Sequence, residues 1–287
     1  MDPTSGPTSH SFLSQRLKLN YVDWGNHGAP ILLLVHGGRD HARSWDWVAR
    51  ALRNDYHVIA PDLRGHGDSS WSPDGAYTLP FLVADLAQLI HQIPQEKIAI
   101  VGHSLGGAVA LRYAGLFPER VSKMAAIEGI GLWGEDLPPL HVRFRKFAEE
   151  RRALSGRAPR RYATMDEALE RMRVENTHLS EAQARHLTTH GVIRNEDGSF
   201  SWKFDNYVRS IYPVDMSNEE QRALWRRIEC PVWLIHGQDS WADHPEIGGR
   251  SFEFRHVRVT SYDRAGHWVH HDRFDAFTSD LRGFLAK

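Results

Sequence analysis

The residues with the clearest chemical potential lie in Ile98-Ala-Ile-Val-Gly102-His103-Ser104-Leu105-Gly106-Gly107-Ala108. A β-branched apolar run ends in Gly-x-Ser-x-Gly, and a stretch with helical character follows. A strand that turns sharply into a helix strains its apex residue, and side chains flanking the apex would collide. Gly102 and Gly106 remove that crowding, so the spacing predicts a Ser104 hydroxyl projecting from the end of a strand. Such a hydroxyl becomes a nucleophile when a neutral base takes its proton, and near pH 7 that base is a histidine. Eighteen histidines are present, so composition does not choose among them. The plainer reading of the same glycines is a turn without chemistry.

The elements that must position Ser104 are legible as alternating periods. Residues 1–10 are polar and rich in Pro, Ser and Thr, and read as a flexible tail without the apolar core of a signal peptide. Ser11 to Trp24 reads as strand, ended by a turn at Gly25-Asn26-His27-Gly28. Ile31–Val35, His57–Ala60 and Ile98–Val101 are short continuous apolar runs, as expected of parallel strands buried on both faces. Helices over about Ser44–Arg53 and Thr78–Ile93 separate them, which implies crossover units. Further strands are expected at Lys123–Ile127 and Val232–Ile235, then an apolar stretch at Val257–Tyr262 and a last helix from about Asp272 to Ala286. Residues 129–228 interrupt this pattern with helix and loop. Ser180 with Gln183 and Ser217 with Glu220 fit capping boxes, and Asp197-Gly198 fits a hairpin turn. The interruption reads as a cap inserted over the sheet, with 1–128 and 229–287 forming the core domain.

Four segments carry a resemblance: Val35-His36-Gly37-Gly38, Ala60-Pro-Asp-Leu-Arg-Gly-His-Gly-Asp68-Ser69, Gly102-His-Ser104-Leu-Gly-Gly107 and Gly266-His267-Trp268. On these the chain resembles the α/β-hydrolase superfamily over nearly its whole length outside the insertion. Asn176-Thr-His-Leu-Ser-Glu and Ser201-Trp-Lys-Phe-Asp are similar to its serine-hydrolase-like branch. The resemblance implies an α/β fold, with a mostly parallel central sheet flanked by helices and a mainly helical cap. It implies Ser104 as nucleophile and His267 as base, with His270 and His271 opening the last helix and facing solvent. The acid stays open. Asp239 is the first choice, although it falls one position before the family's usual register, where Ser240 stands. Glu128, after the strand Lys123–Ile127, is the second, matching one group of haloalkane dehalogenases, and Asp243 is the third. The oxyanion donors implied are the N–H groups of Leu105 and Gly38. Arg39, His103, Trp133, Trp241 and Trp268 are expected near the substrate pocket, with core packing or solvent as the alternative for each. A serine at the apex argues against the dehalogenases and epoxide hydrolases of this fold, which carry a carboxylate nucleophile there.

Composition narrows the remaining classes. The chain has 287 residues, 41% hydrophobic and 25% charged, so disordered and fibrous classes are excluded. A net charge of −1 argues against nucleic acid as partner, and no apolar run is long enough to span a bilayer. The single cysteine, Cys230, favours a reducing, cytoplasmic compartment. His36, His66, His103 and His236 lack metal-ligand spacing and are expected to make structural hydrogen bonds; no metal and no cofactor is implied. The basic stretch His141–Arg173 reads as a solvated helix face. The expected function is hydrolysis of a small-molecule carboxylic ester, apolar or aromatic, through an acyl-enzyme. Lactone, amide or β-diketone C–C hydrolysis on the same residues, or ligand binding without catalysis, are the competing readings. Oligomeric state is left open.

Overall fold

Residues 8–10 of the polar N-terminal stretch are strand and not tail. Thr8–Ser14 (β1) and Leu17–Asp23 (β2) pair antiparallel along their length, joined at Gln15 and Arg16, both with positive φ. A computed structural model describes residues 6–131 and 138–286. After β2 come β3 (Ile31–Val35), α1 (Asp46–Leu52), β4 (His57–Pro61), α2 (Leu79–His91), β5 (Ile98–His103), α3 (Leu105–Leu116) and β6 (Val121–Ile127). The intervening segment holds α4 (Leu140–Leu154), α5 (Met165–Glu175), α6 (Glu181–Gly191), β7 (Val192–Arg194), β8 (Phe200–Trp202) and α7 (Asn218–Trp225). The chain then closes with β9 (Val232–Gly237), β10 (Val257–Tyr262), α8 (Val269–Asp272) and α9 (Phe274–Ala286).

Eight strands form one sheet in the order β1-β2-β4-β3-β5-β6-β9-β10, parallel from β4 onward. The continuous apolar runs are explained by burial on both faces. In β3, Ile31, Leu33 and Val35 enter a core layer shared with α2 and α3, while Leu32 and Leu34 enter a second layer with α1 and α9. Trp225 of α7 belongs to the first layer, so α7 is part of the wall flanking the sheet although it lies within 129–228.

The rest of that stretch meets the loops at the C-terminal ends of the parallel strands. His41 donates to Leu187 O (3.0 Å), Asp205 N–H to Gly65 O (2.9 Å) and the Gln183 amide to His271 O (3.1 Å). Tyr77 OH donates to the Asp205 carboxylate at 2.5 Å, and Lys203 pairs with Asp68 at 2.7 Å. Both expected capping boxes form, and Asp197-Gly198 lies in the turn between β7 and β8. Tyr162, Ala168 and Val192 give these elements a small core of their own. Among the described residues no helix is long and apolar enough to cross a membrane.

Candidate active site

β5 runs into α3 through Ser104, whose φ of 50° and ψ of −117° are sterically costly for a residue with a side chain. What holds it there is close backbone packing. A Cβ on Gly106 would lie 2.4 Å from the carbonyl oxygens of Val35 and His36, and one on Gly102 would lie 2.5 Å from Gly106 O. The Ser104 N–H is fixed to Ile127 O at 2.8 Å. The N–H of Leu105 opens α3 and, like that of Gly38, meets no acceptor among the described residues. A Cβ built on Gly38 would have its nearest neighbour, Leu105 Cδ2, at 3.9 Å, so these two backbones flank one open space.

His267 follows β10 on the loop before α8. Its Nδ1 faces Glu128 Oε2 at 3.3 Å, a long contact of the kind that tightens when a substrate binds. Glu128 is the residue directly after β6, held at φ 52° with its side chain fully buried. Its carboxylate is otherwise saturated by donors: Gly237 N–H reaches Oε1 at 2.6 Å and Ser240 Oγ–H reaches Oε2 at 2.6 Å. Asp239, the first choice from sequence, does not make this contact. It is exposed, and its backbone N–H, not its carboxylate, ties it to Ala265 O. The one-position register slip is consistent with the exchange, because Ser240 occupies the place after β9 where the usual register puts the acid, and its hydroxyl donates to the carboxylate arriving from β6. Asp243 instead pairs with Arg250 at 3.1 Å.

His103 corrects a second expectation. It is 1% exposed, so it offers almost no surface to a substrate; its Nε2–H donates to His267 O at 2.9 Å, clamping the loop of His267 onto the turn at Ser104. Burial pushes its proton affinity well below the usual histidine range, and the neighbouring His267 adds to this, so it stays neutral. His270 and His271 do not face solvent. They are buried beneath the site, His270 stacked on Trp45 with ring centroids 4.4 Å apart. Trp241 is 80% exposed yet lies over the His267 ring, with centroids 4.6 Å apart. Arg39 and Trp268 share a narrow cleft with Met172, Trp202 and Phe204. Trp133 falls outside the described residues.

His36, His66 and His236 make the structural hydrogen bonds expected, to Leu63 N–H, Arg64 O and Ala242 O. The sequence reading overlooked His186 and His190, one helical turn apart on α6 and grouped with Asp46. The Arg43 guanidinium already spans both oxygens of Asp46 at 2.6–2.9 Å, which opposes a cation there. A second group, Asp23, His27 and His57, has its carboxylate engaged by Gly25 N–H and His57 Nε2. A larger cavity of about 640 Å³ lies between α2 and α3, bounded by Val83, Tyr113, Phe117 and Met216, and includes none of the residues around Ser104. Cys230 is buried, its thiol pushed up to about 12, and is chemically quiet.

The pattern of the α/β-hydrolase fold family matches residues 30–274. The chain belongs to the α/β-hydrolase family. It is 32% identical to the serine hydrolase-like protein of Danio rerio over 221 residues, 75% of this chain and 67% of that one. Esterase Rv0045c of Mycobacterium tuberculosis is 25% identical over 98% of this chain and 91% of its own. The thioesterase domain from the curacin biosynthetic pathway superposes with a TM-score of 0.84 at 22% identity, over 96% of this chain and 99% of that domain, a likeness of fold. As an α/β hydrolase, the chain has serine hydrolase-like and esterase relatives.

Proposed function

We propose that this hydrolase cleaves carboxylic esters through an acyl-enzyme formed on Ser104. The observation that carries the reading is the bond from His267 Nδ1 to the buried Glu128 carboxylate, on a loop clamped by His103 against the Ser104 turn. With Nδ1–H committed to Glu128, the ring presents Nε2 as a proton acceptor. Ser104 Oγ attacks the ester carbonyl carbon as its proton passes to His267. The carbonyl π pair moves onto oxygen, where Gly38 and Leu105 N–H groups receive the charge. Collapse expels the alkoxide, which takes the proton back from His267; water then repeats the sequence on the acyl-enzyme. Glu128 stabilises the transient imidazolium and holds its tautomer. None of these steps calls for a cofactor. The α4–α6 segment and the β7–β8 hairpin act as a cap that bounds the substrate space.

Labelling by a fluorophosphonate and turnover of short-chain 4-nitrophenyl esters test this reading. Ser104→Ala is expected to abolish labelling and to lower kcat by at least about 10³-fold, the scale seen when an activated nucleophile is removed. Tight binding of small molecules without turnover of any ester would overturn the proposal and favour a binding protein. Turnover restricted to lactones or amides would keep Ser104 and change the bond.

A further inference from the structure

The proposed reaction leaves the cavity of about 640 Å³ between α2 and α3 unused. That volume takes a whole small molecule. Val83, Ala84 and Ala87 of α2 face Leu116 and Phe117 of α3 across it, and Met216, just ahead of α7, joins them. Leu116 and Phe117 are exposed although apolar, so a ligand covering them removes apolar surface from water. Tyr113 lines the same space, nine residues beyond Ser104 along α3, roughly 13 Å at the rise of a helix.

Tyr113 is what marks the cavity as a site. It is 3% exposed, and its ring packs on Phe117 with centroids 5.0 Å apart. A tyrosine hydroxyl buried this deeply ordinarily finds a partner. This one makes no hydrogen bond among the described residues, yet it is not sealed inside the protein, because the side chain opens on the cavity. Burial pushes the phenol up to about 12, so near pH 7 it is a neutral donor.

The charges around the cavity choose the class of ligand. Arg112 donates to the Asp215 carboxylate at 2.7 Å and to Gln221 Oε1 at 2.8 Å, and Gln221 is fixed in turn to Ile130 O and Gly131 O. Arg120 donates to the carbonyls of Ile90, Ile93, Gln95 and Glu96, at and beyond the end of α2. Both arginines of the wall are thus committed, and no lysine lines it. His91 and Glu119 stand exposed at the rim, and Glu119 has no ion pair among the described residues. A carboxylate brought in would lose hydration and meet Glu119 with no free arginine to receive it. A cation would gain little from Glu119, which water screens. We propose that this cavity is a binding site for an uncharged amphiphile, an apolar chain or ring system with one hydroxyl or carbonyl oxygen that accepts from Tyr113 OH. The site is separate from Ser104 and stands whether or not the esterase reading does.

The test titrates the protein with N-phenyl-1-naphthylamine, an uncharged probe whose fluorescence rises in apolar surroundings, and then displaces it with decan-1-ol or decanoate. Saturable enhancement is expected, with decan-1-ol displacing at concentrations at least about fivefold lower than decanoate. Ala84→Trp, at an exposed position on the α2 wall, is expected to fill the cavity and abolish saturable binding. Tyr113→Phe removes a hydroxyl that no bond of the fold uses. It is expected to weaken decan-1-ol by about threefold to tenfold, the worth of one hydrogen bond, and to leave the probe's own Kd within about twofold. No saturable enhancement, or enhancement unchanged in Ala84→Trp, would overturn the site. Decanoate displacing as well as decan-1-ol, or Tyr113→Phe without effect on the alcohol, would overturn the ligand class. A dimer by light scattering that Ala84→Trp dissociates, with no probe bound, would give this face to a second copy and overturn the small-molecule site. Should Ala84→Trp not fold, Tyr113→Phe alone decides.

Discussion

At the residue scale, the carboxylate behind His267 separates what the sequence made visible from what it hid. Ser104 and His267 sit in local motifs whose geometry follows from neighbours one to four residues away. The carboxylate that faces His267 is a contact across 139 residues, and the two candidates for it follow adjacent strands, β6 and β9. Only side-chain direction decides between them. The one usable signal was the serine at position 240, one past Asp239: a hydroxyl there cannot serve as acid but can donate to one. The expected outcome follows. Glu128→Gln keeps the shape but offers His267 Nδ1 a choice of amide donor or acceptor, so kcat/KM on a 4-nitrophenyl ester is expected to fall about 10²–10⁴-fold. Asp239→Asn, on an exposed loop, is expected to stay within about twofold. The reverse ranking in steady-state assays would return the role to Asp239. Ser240→Ala removes one donor from a fully buried carboxylate and is expected to cost less, roughly 1–3 kcal/mol of stability by urea titration.

At the element scale, the strands were readable because β3, β4 and β5 are apolar on both faces, and the helices because caps such as Ser180 and Ser217 mark their starts. The start of β1 at residues 8–10 escaped because it is polar and exposed, and so did the turn at Gln15-Arg16 that splits the expected Ser11–Trp24 strand into β1 and β2, since their pairing is a backbone property that side-chain type does not report. One polar knot then fastens this hairpin to the body. Asp85 of α2 accepts from Ser14 Oγ (2.6 Å), Gln15 Nε2 (3.0 Å) and the Arg64 guanidinium (2.5 and 2.8 Å). Arg64 is 2% exposed, so Asp85→Ala would leave a buried cation unpaired. Loss of one partner of a buried pair costs about 3–5 kcal/mol, and Tm should fall by roughly 10 °C in a domain of this size. Turnover at 20 °C should survive, since neither member of the pair bonds to Ser104, His267 or Glu128; a Tm within about 2 °C of the native value would show that the knot contributes nothing.

At the scale of the whole molecule, the histidines behave as a set that no motif could announce. His103 on the Ser104 turn, His270 and His271 on α8, His36 after β3 and His66 after β4 are all buried, and they meet through contacts such as His103–His270 and His36–His66. Burial is the leading cause that lowers each proton affinity, and the neighbouring histidines add to it in each case: His66 falls to about 4, His271 to about 3, and His36, His103 and His270 lie well below the ordinary value. In the unfolded chain the same groups titrate near 6.5, so between about pH 4 and 6.5 the unfolded state binds more protons than the folded one. Stability therefore rises with pH across that window and is lost as pH falls through 6.5. One unit below the unfolded value, each histidine costs about 1.4 kcal/mol. Asp40, Asp62 and Asp272, whose carboxyls burial raises, act in the opposite direction, but they are three groups against these five and His190, which burial also lowers to about 4. A net loss of several kcal/mol is a large part of a domain's usual stability of about 5–15 kcal/mol. The urea midpoint is thus expected to be flat from pH 7 to 8 and to drop steeply between 6.5 and 5.5, with a slope reporting uptake of several protons. His271→Gln, if folded at pH 7.5, should reduce that uptake by about one proton. An unchanged midpoint at pH 5.5 would mean that the buried histidines are protonated in place, and the neutral layer beneath Ser104 and His267 would have to be abandoned.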